Sequence, residues 1–171
     1  MTTLQGPSGK RIIDALKKSS VKYVAALPDI TTSSGLLWPL AEEPDLELIR
    51  LSKEDEGVSI CAALGYCEKR AVLLMQQTGL TDSLNNIRAI GCDYKQPICM
   101  LVGLLGKEPD KLPTESESFG VRIIQPILEV MKIDHILIQT PDDVELLSPA
   151  IDRAYELSRP LVAMIGRTVA T

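Results

Sequence analysis

Histidine and the large aromatic residues are almost missing from this chain. Its 171 residues hold one His, at 135, one Trp, at 38, and one Phe, at 119. A lone histidine leaves no cluster from which a His-rich metal site could be built, and His135, at the edge of an apolar run, reads as solvated or structurally bonded. Basic residues are outnumbered: 18 Lys and Arg against 23 Asp and Glu give a formal net charge of -5. That argues against nucleic acid and anionic membranes as main partners, since both favour basic surfaces. Long apolar runs are missing as well. The longest, residues 97–106, falls far short of the roughly 20 residues that span a bilayer. Residues 1–11 carry no apolar core of a secretory leader. The four cysteines, at 61, 67, 92 and 99, show no C-x-x-C spacing, so they read as reduced, partly buried thiols rather than metal ligands or disulfides. No low-complexity tract, repeat or Gly/Ser linker divides the sequence. These absences describe a cytoplasmic chain forming a single domain, 1–171, with no metal ligands of its own.

What is present is alternation. Residues 8–18 have helical spacing through Ile12, Ile13 and Leu16. Short apolar runs suited to strands occur at 23–27, 46–51, 71–75, within 97–105, at 136–139 and at 161–165. Between them, helical patterns cover 32–40, 54–67, 81–90, 121–131 and 142–157. The run at 71–75, AVLLM, is continuously apolar, as in a strand covered on both faces. Strands alternating with helices predict an α/β fold: a three-layer α/β/α sandwich around a parallel sheet of about six strands. Ligands on such sheets bind at the carboxyl ends of the strands. The loops to inspect are therefore 28–34, 52–56, 76–82 and 103–120.

The segment 57–67, GVSICAALGYC, carries no charge. As a helix, one stripe holds Val58, Cys61, Ala62 and Gly65, and the opposite one Ile60, Ala63, Leu64 and Cys67. A helix apolar on both sides is expected to be buried on both. One side meets the sheet; the other needs a partner subunit or the chain's own loops. Small residues at Gly57, Ser59, Ala62, Ala63 and Gly65 allow close approach. Glu54, Asp55 and Glu56 precede the run. The helix dipole accounts for all three, with Ser52 available as a cap. Glu56, innermost against the apolar run, is also placed for desolvation and proton transfer.

Residues 55–66, DEGVSICAALGY, resemble the pyrimidine-binding domain of thiamine-diphosphate enzymes, where a glutamate precedes a small-residue helix ending in Gly-Tyr. The Glu56-to-Gly65 spacing matches. Residues 71–87, AVLLMQQTGLTDSLNNI, are similar to the strand–turn–helix of sulfopyruvate and phosphonopyruvate decarboxylases, through Met75, Gln76, Gly79, Leu80 and Asn85. The segment 23–29, YVAALPD, resembles that group's first strand and its Pro-containing loop. Gln77 and Thr78 stand where Asn and Ser are usual, and Thr81-Asp82 where Gly-Asn is. The Gly-Asp-Gly motif that binds the cofactor's diphosphate through Mg²⁺ is not in the sequence.

The resemblance implies a thiamine diphosphate site shared with a separate diphosphate-binding, beta-type subunit that holds the Mg²⁺. It implies that Glu56 activates the aminopyrimidine, that Gln77, Thr78, Gly79, Leu80 and Asn85 contact it, and that Pro28 and Asp29 approach cofactor or substrate. The reaction implied is decarboxylation of a small 2-oxo acid resembling sulfopyruvate or phosphonopyruvate. Arg88 and Lys95, or the partner, are the cations to hold its anionic tail. The helix at 57–67 is the expected homodimer contact, and the chain is expected to be inactive alone. A split carboligase subunit, or a non-catalytic ligand- or partner-binding domain of the same fold, are the alternatives.

Overall fold

The computed structural model describes residues 5–171; residues 1–4, part of the stretch read above for a leader, lie outside the described residues. The strands are β1 (Tyr23–Ala26), β2 (Glu47–Arg50), β3 (Ala71–Gln76), β4 (Cys99–Gly103), β5 (Asp134–Ile138) and β6 (Leu161–Ile165). They form one sheet in the order β2-β1-β3-β4-β6-β5, and every pairing is parallel. All six carboxyl ends therefore lie on one edge. Alternate residues of each strand face opposite layers. Val72 and Leu74 of β3 pack with α1 (Gly9–Lys18), α2 (Trp38–Ala41) and α8 (Leu147–Leu157). Leu73 and Met75 pack with α3 (Glu54–Tyr66), α4 (Gln77–Asp82), α6 (Phe119–Arg122) and α7 (Ile124–Met131). The expected three layers are present.

Helix boundaries differ from the sequence reading where proline or turn chemistry intervenes. The pattern at 121–131 is two helices, α6 and α7, meeting at Ile123. Pro126 has no N–H to offer the carbonyl four residues back and crowds it. Likewise the pattern at 142–157 opens with a tighter 3₁₀ segment, Asp142–Leu146, before α8. Pro149 falls in the first turn of α8, where its missing donor costs little. The pattern at 32–40 is a π-helical segment, Ser33–Leu37, running into α2.

The largest difference lies after β3. The helix begins at Gln77 rather than at Thr81, and is followed by α5 (Leu84–Asn86) and a π-helical segment, Ile87–Asp93. Gln76 precedes the helix in extended conformation, with none of the short polar side chains that announce a helix start. Residues 76–82, read as a loop, are in fact a strand end and a helical first turn.

The helix at 57–67 is buried on one side only. Val58, Cys61 and Ala62 are buried, while Ser59, Ala63, Tyr66 and Cys67 are exposed. On the second stripe Ile60 and Leu64 are half-buried, Leu64 against the core, and the described residues leave Ala63 and Cys67 open. Among the described residues no helix is long and apolar enough to cross a membrane.

Candidate active site

The carboxyl edge gathers three segments from distant parts of the sequence. The loop after β1 folds around Asp29, which is 6% exposed. Its Oδ1 accepts from the Thr31 N–H at 2.6 Å and the Thr32 N–H at 3.1 Å, and its Oδ2 accepts from the Thr32 hydroxyl. This self-closed turn lies over the end of β4. A Cβ on Gly103 would stand 2.7 Å from Asp29 Oδ1 and 3.0 Å from Thr31 Cβ, so the approach requires glycine there. The Asp29 carboxylate is thus committed to its own loop. Pro28, beside it, is exposed.

After β2, α3 begins at Glu54. Glu56 turns back, and its Oε2 accepts from the Ser52 N–H at 3.1 Å and the Lys53 N–H at 3.3 Å. The acidic side chain itself caps the helix; Ser52 contributes only its backbone. Glu56 is exposed, contrary to the expectation of a carboxyl desolvated against the apolar run. That run points sideways along the helix; its first turn is met by Gly79 at Glu54 and by Asn86 at Asp55, while Glu56 itself is left open. The capping bonds fix the rotamer through one oxygen and leave Oε1 directed elsewhere.

After β3, the first turn of α4 lies against α3. A Cβ on Gly79 would come within 2.3 Å of Glu54 Cγ and 2.5 Å of its Oε1. Gly79 therefore lets α3 and α4 close together, and Glu54, which the sequence reading set aside, is the residue that meets it. Leu80 is buried beneath. Thr78 is exposed, and its Oγ1 accepts from Gln76 Nε2 at 2.9 Å. Gln77 is 4% exposed. Its amide donates to Leu105 O at 2.9 Å and accepts from the Leu105 N–H at 2.8 Å. Both halves of that amide are in use, clamping the start of α4 to the loop after β4. Asn85 is exposed and accepts from Arg88 Nε at 3.3 Å and Nη2 at 3.1 Å. The structure thus brings Pro28, Asp29, Glu56 and 77–80 to one edge, with Asn85 one turn further along.

The loop after β4 is built around Glu108. Its carboxylate accepts from Ser116 Oγ at 2.7 Å, from the Glu117 N–H at 2.9 Å and from Lys111 Nζ at 3.4 Å. The Ser116 hydroxyl above all, then the Glu117 amide, pull its pKa down to about 2. The segment 106–120 is stitched shut rather than loose.

Neither cation expected from the sequence faces this edge unpaired. Arg88 donates to Asp93 at 2.5 Å, and Lys95 sits at the start of the turn into β4, at the amino ends of the strands. His135 Nδ1 lies 3.0 Å from Ile133 O on the edge strand β5. Two residues that the sequence reading passed over do occupy the edge: Lys107 and Arg167, after β4 and β6. The only signal for them was topological, since each follows an apolar strand.

No family model matches the chain. The sulfopyruvate decarboxylase subunit alpha of Methanococcus maripaludis is 24% identical over 159 residues, covering 92% of this chain and 93% of that one. Its counterpart in Methanocaldococcus jannaschii is 25% identical over 154 residues, covering 90% of this chain and 89% of that one. The chain is similar to sulfopyruvate decarboxylase alpha subunits along nearly its whole length. The sulfopyruvate decarboxylase of Methanosarcina acetivorans is 27% identical over 160 residues, 94% of this chain but only 40% of that protein. Among solved structures, the 2-oxoglutarate:ferredoxin oxidoreductase of Magnetococcus marinus superposes with a TM-score of 0.68 at 11% identity. The match covers 98% of this chain and 32% of that one, so this chain spans about a third of its length. That likeness is one of fold.

Proposed function

We propose that the chain is the alpha-type subunit of a thiamine-diphosphate-dependent 2-oxo acid decarboxylase, and that 1–171 is its pyrimidine-binding domain. The observation that carries this is Glu56: a carboxylate at the carboxyl edge, held in one rotamer by two backbone amides, with no hydrogen bond to its second oxygen among the described residues. The edge beside it fits an aromatic ring. Thr78 offers an exposed hydroxyl, Leu80 is buried beneath it, and Gly79 lets the Glu54 end of α3 close against this turn. Thiamine diphosphate, when bound, supplies the electron sink that makes loss of carbon dioxide from a 2-oxo acid feasible.

In this reading Glu56 Oε1 holds the proton at the ring nitrogen of the aminopyrimidine, and the amides of Ser52 and Lys53 hold Glu56. Gln77 and Asp29 do not touch the ring; they keep the turns of β3 and β1 in place. An exposed carboxyl in water is a poor proton-active group, because a dry surrounding raises its pKa toward neutrality. The cover must come from outside the chain. The length relation agrees: the chain matches 40% of the M. acetivorans protein and nearly all of the alpha subunits. A beta-type partner, holding the diphosphate and Mg²⁺, completes the site.

Co-expression with such a partner and assay on sulfopyruvate, phosphonopyruvate and pyruvate tests the reading. The complex should release carbon dioxide and either chain alone should not. Glu56→Gln, which keeps an acceptor for the capping amides, should fold normally and lose about 100-fold or more in kcat. Full activity in that variant rules out the assignment.

A further inference from the structure

Lys107 and Arg167 lie on different strand ends yet serve consecutive carbonyls. Lys107 Nζ donates to Glu108 O at 2.8 Å. Arg167 donates to Pro109 O through Nε at 3.2 Å and Nη2 at 2.6 Å. Their charged heads are therefore neighbours. Lys107 is 8% exposed, and Arg167 Nη1 is buried with no hydrogen-bond partner among the described residues. Neither is in an ion pair there. Of the nearby carboxylates, Glu108 is turned toward Ser116 and Lys111 and Asp143 toward the amides of Gln139 and Thr140, while Asp110 is exposed to solvent.

A buried lysine beside a half-buried arginine whose Nη1 is buried and unpaired among the described residues is costly unless an anion joins them. Burial, and then the charge of Arg167, hold the Lys107 amine below its usual pKa. An oxyanion would reverse both effects. The guanidinium fork and the ammonium together suit a tetrahedral group with three oxygens.

The location is also informative. In the order β2-β1-β3-β4-β6-β5, β1 leaves for β2 and β3 leaves the other way for β4, so the crevice in which such sheets bind ligands lies between β1 and β3; Lys107 and Arg167 follow β4 and β6 on that same carboxyl edge. Lys107 is two residues beyond Leu105, which Gln77 clamps to the turn carrying Thr78 and Gly79. The same turn meets Glu54 at the start of α3, so Glu56 and Lys107 flank it on the carboxyl edge.

We propose that Lys107 and Arg167 form the subsite for the second anionic group of the substrate, a tetrahedral oxyanion carried at the far end of the 2-oxo acid. The proposal rests on the decarboxylase reading above for its substrate, but the anion site itself can be tested apart from it. Sulfoacetate, which has the sulfonate but no keto group, should bind the purified chain at low ionic strength in titration calorimetry. Lys107→Met and Arg167→Met should each weaken it at least 10-fold, and Arg159→Met, at the other end of the sheet, should not. Methionine in place of a buried lysine keeps the volume, so melting temperature should hold; Lys107→Arg should restore part of the binding. In the assembled complex, the same two variants should raise KM for sulfopyruvate at least 10-fold, and Lys107→Arg should recover part of that loss.

No binding by the wild-type chain, or binding indifferent to both variants, overturns the subsite. Decarboxylation whose KM for sulfopyruvate ignores both variants overturns it as well and leaves the decarboxylase reading intact. Variant-sensitive sulfoacetate binding in a complex that decarboxylates nothing supports the anion site and removes that reading.

Discussion

At the scale of single residues, the site is held by contacts too close for any side chain. Gly103 has Asp29 Oδ1 where its Cβ would be, at 2.7 Å. Asp29 cannot retreat, because three donors from Thr31 and Thr32 hold its carboxylate. Gly103→Ala should therefore cost about 2 kcal/mol by overpacking. Gly120, inside α6, has no atom within 4 Å of an added Cβ. Gly120→Ala should be neutral, or stabilising by about 0.5 kcal/mol through helix propensity. Urea midpoints at constant slope separate the two. Glu56 shows how far the sequence speaks at this scale. Its spacing to Gly65 singles it out of three acids, but its exposure depends on what covers its face of α3, which Gly79 and Asn86, packed at Glu54 and Asp55, leave open. Lys107 and Arg167 were invisible for another reason: only the strand order β4-β6 makes neighbours of residues so far apart in the chain.

At the scale of elements, the six strands were legible because their apolar runs are continuous or nearly so, and parallel packing follows from alternation with helices. The start of α4 was not, since its first turn is anchored by a tertiary contact, the Gln77–Leu105 clamp, rather than by a cap written in the sequence. The loop 106–120 is part of a stretch that the sequence marks only as one to inspect, and Glu108 decides how it behaves. Its carboxyl is held near 2, below the ordinary 4.5, so the ionised form is the one the fold favours. The sign follows from linkage: this contribution is full above about pH 4.5 and is lost as pH falls toward 2. The Glu117 amide should show faster hydrogen exchange as pH drops through that window, after correction for intrinsic rates. Glu108→Gln should remove this pH dependence. A Glu117 amide equally protected at pH 2.5 and pH 6 would mean that the carboxylate does not hold the loop.

At the scale of the whole molecule, one side of the sheet is covered by helices that are themselves uncovered. On α3, Ala63 and Cys67 are exposed and Tyr66 is 83% exposed. On α7, packed in the same layer, Val130 is 84% exposed, and Ile123, Pro126, Ile127 and Met131 line an apolar groove with it. Monomers seldom leave such a surface to water. The outward side of α3 carries small residues at Ser59 and Ala63, which let a second helix approach closely, and it starts at the acids that need covering. That combination favours a subunit contact along α3, in which assembly also dries Glu56. Two neighbouring alanines make the test. Ala62 is 7% exposed and faces the core, so Ala62→Arg should unfold the chain by burying an unpaired charge. Ala63 faces outward, so Ala63→Arg should melt within about 0.5 kcal/mol of wild type, as surface changes do. It should nonetheless sediment as a monomer under conditions where the wild-type chain associates, and it should fail to give an active complex. If Ala63→Arg assembles as the wild type does, the contact lies elsewhere, and the groove on α7 becomes the face to mutate.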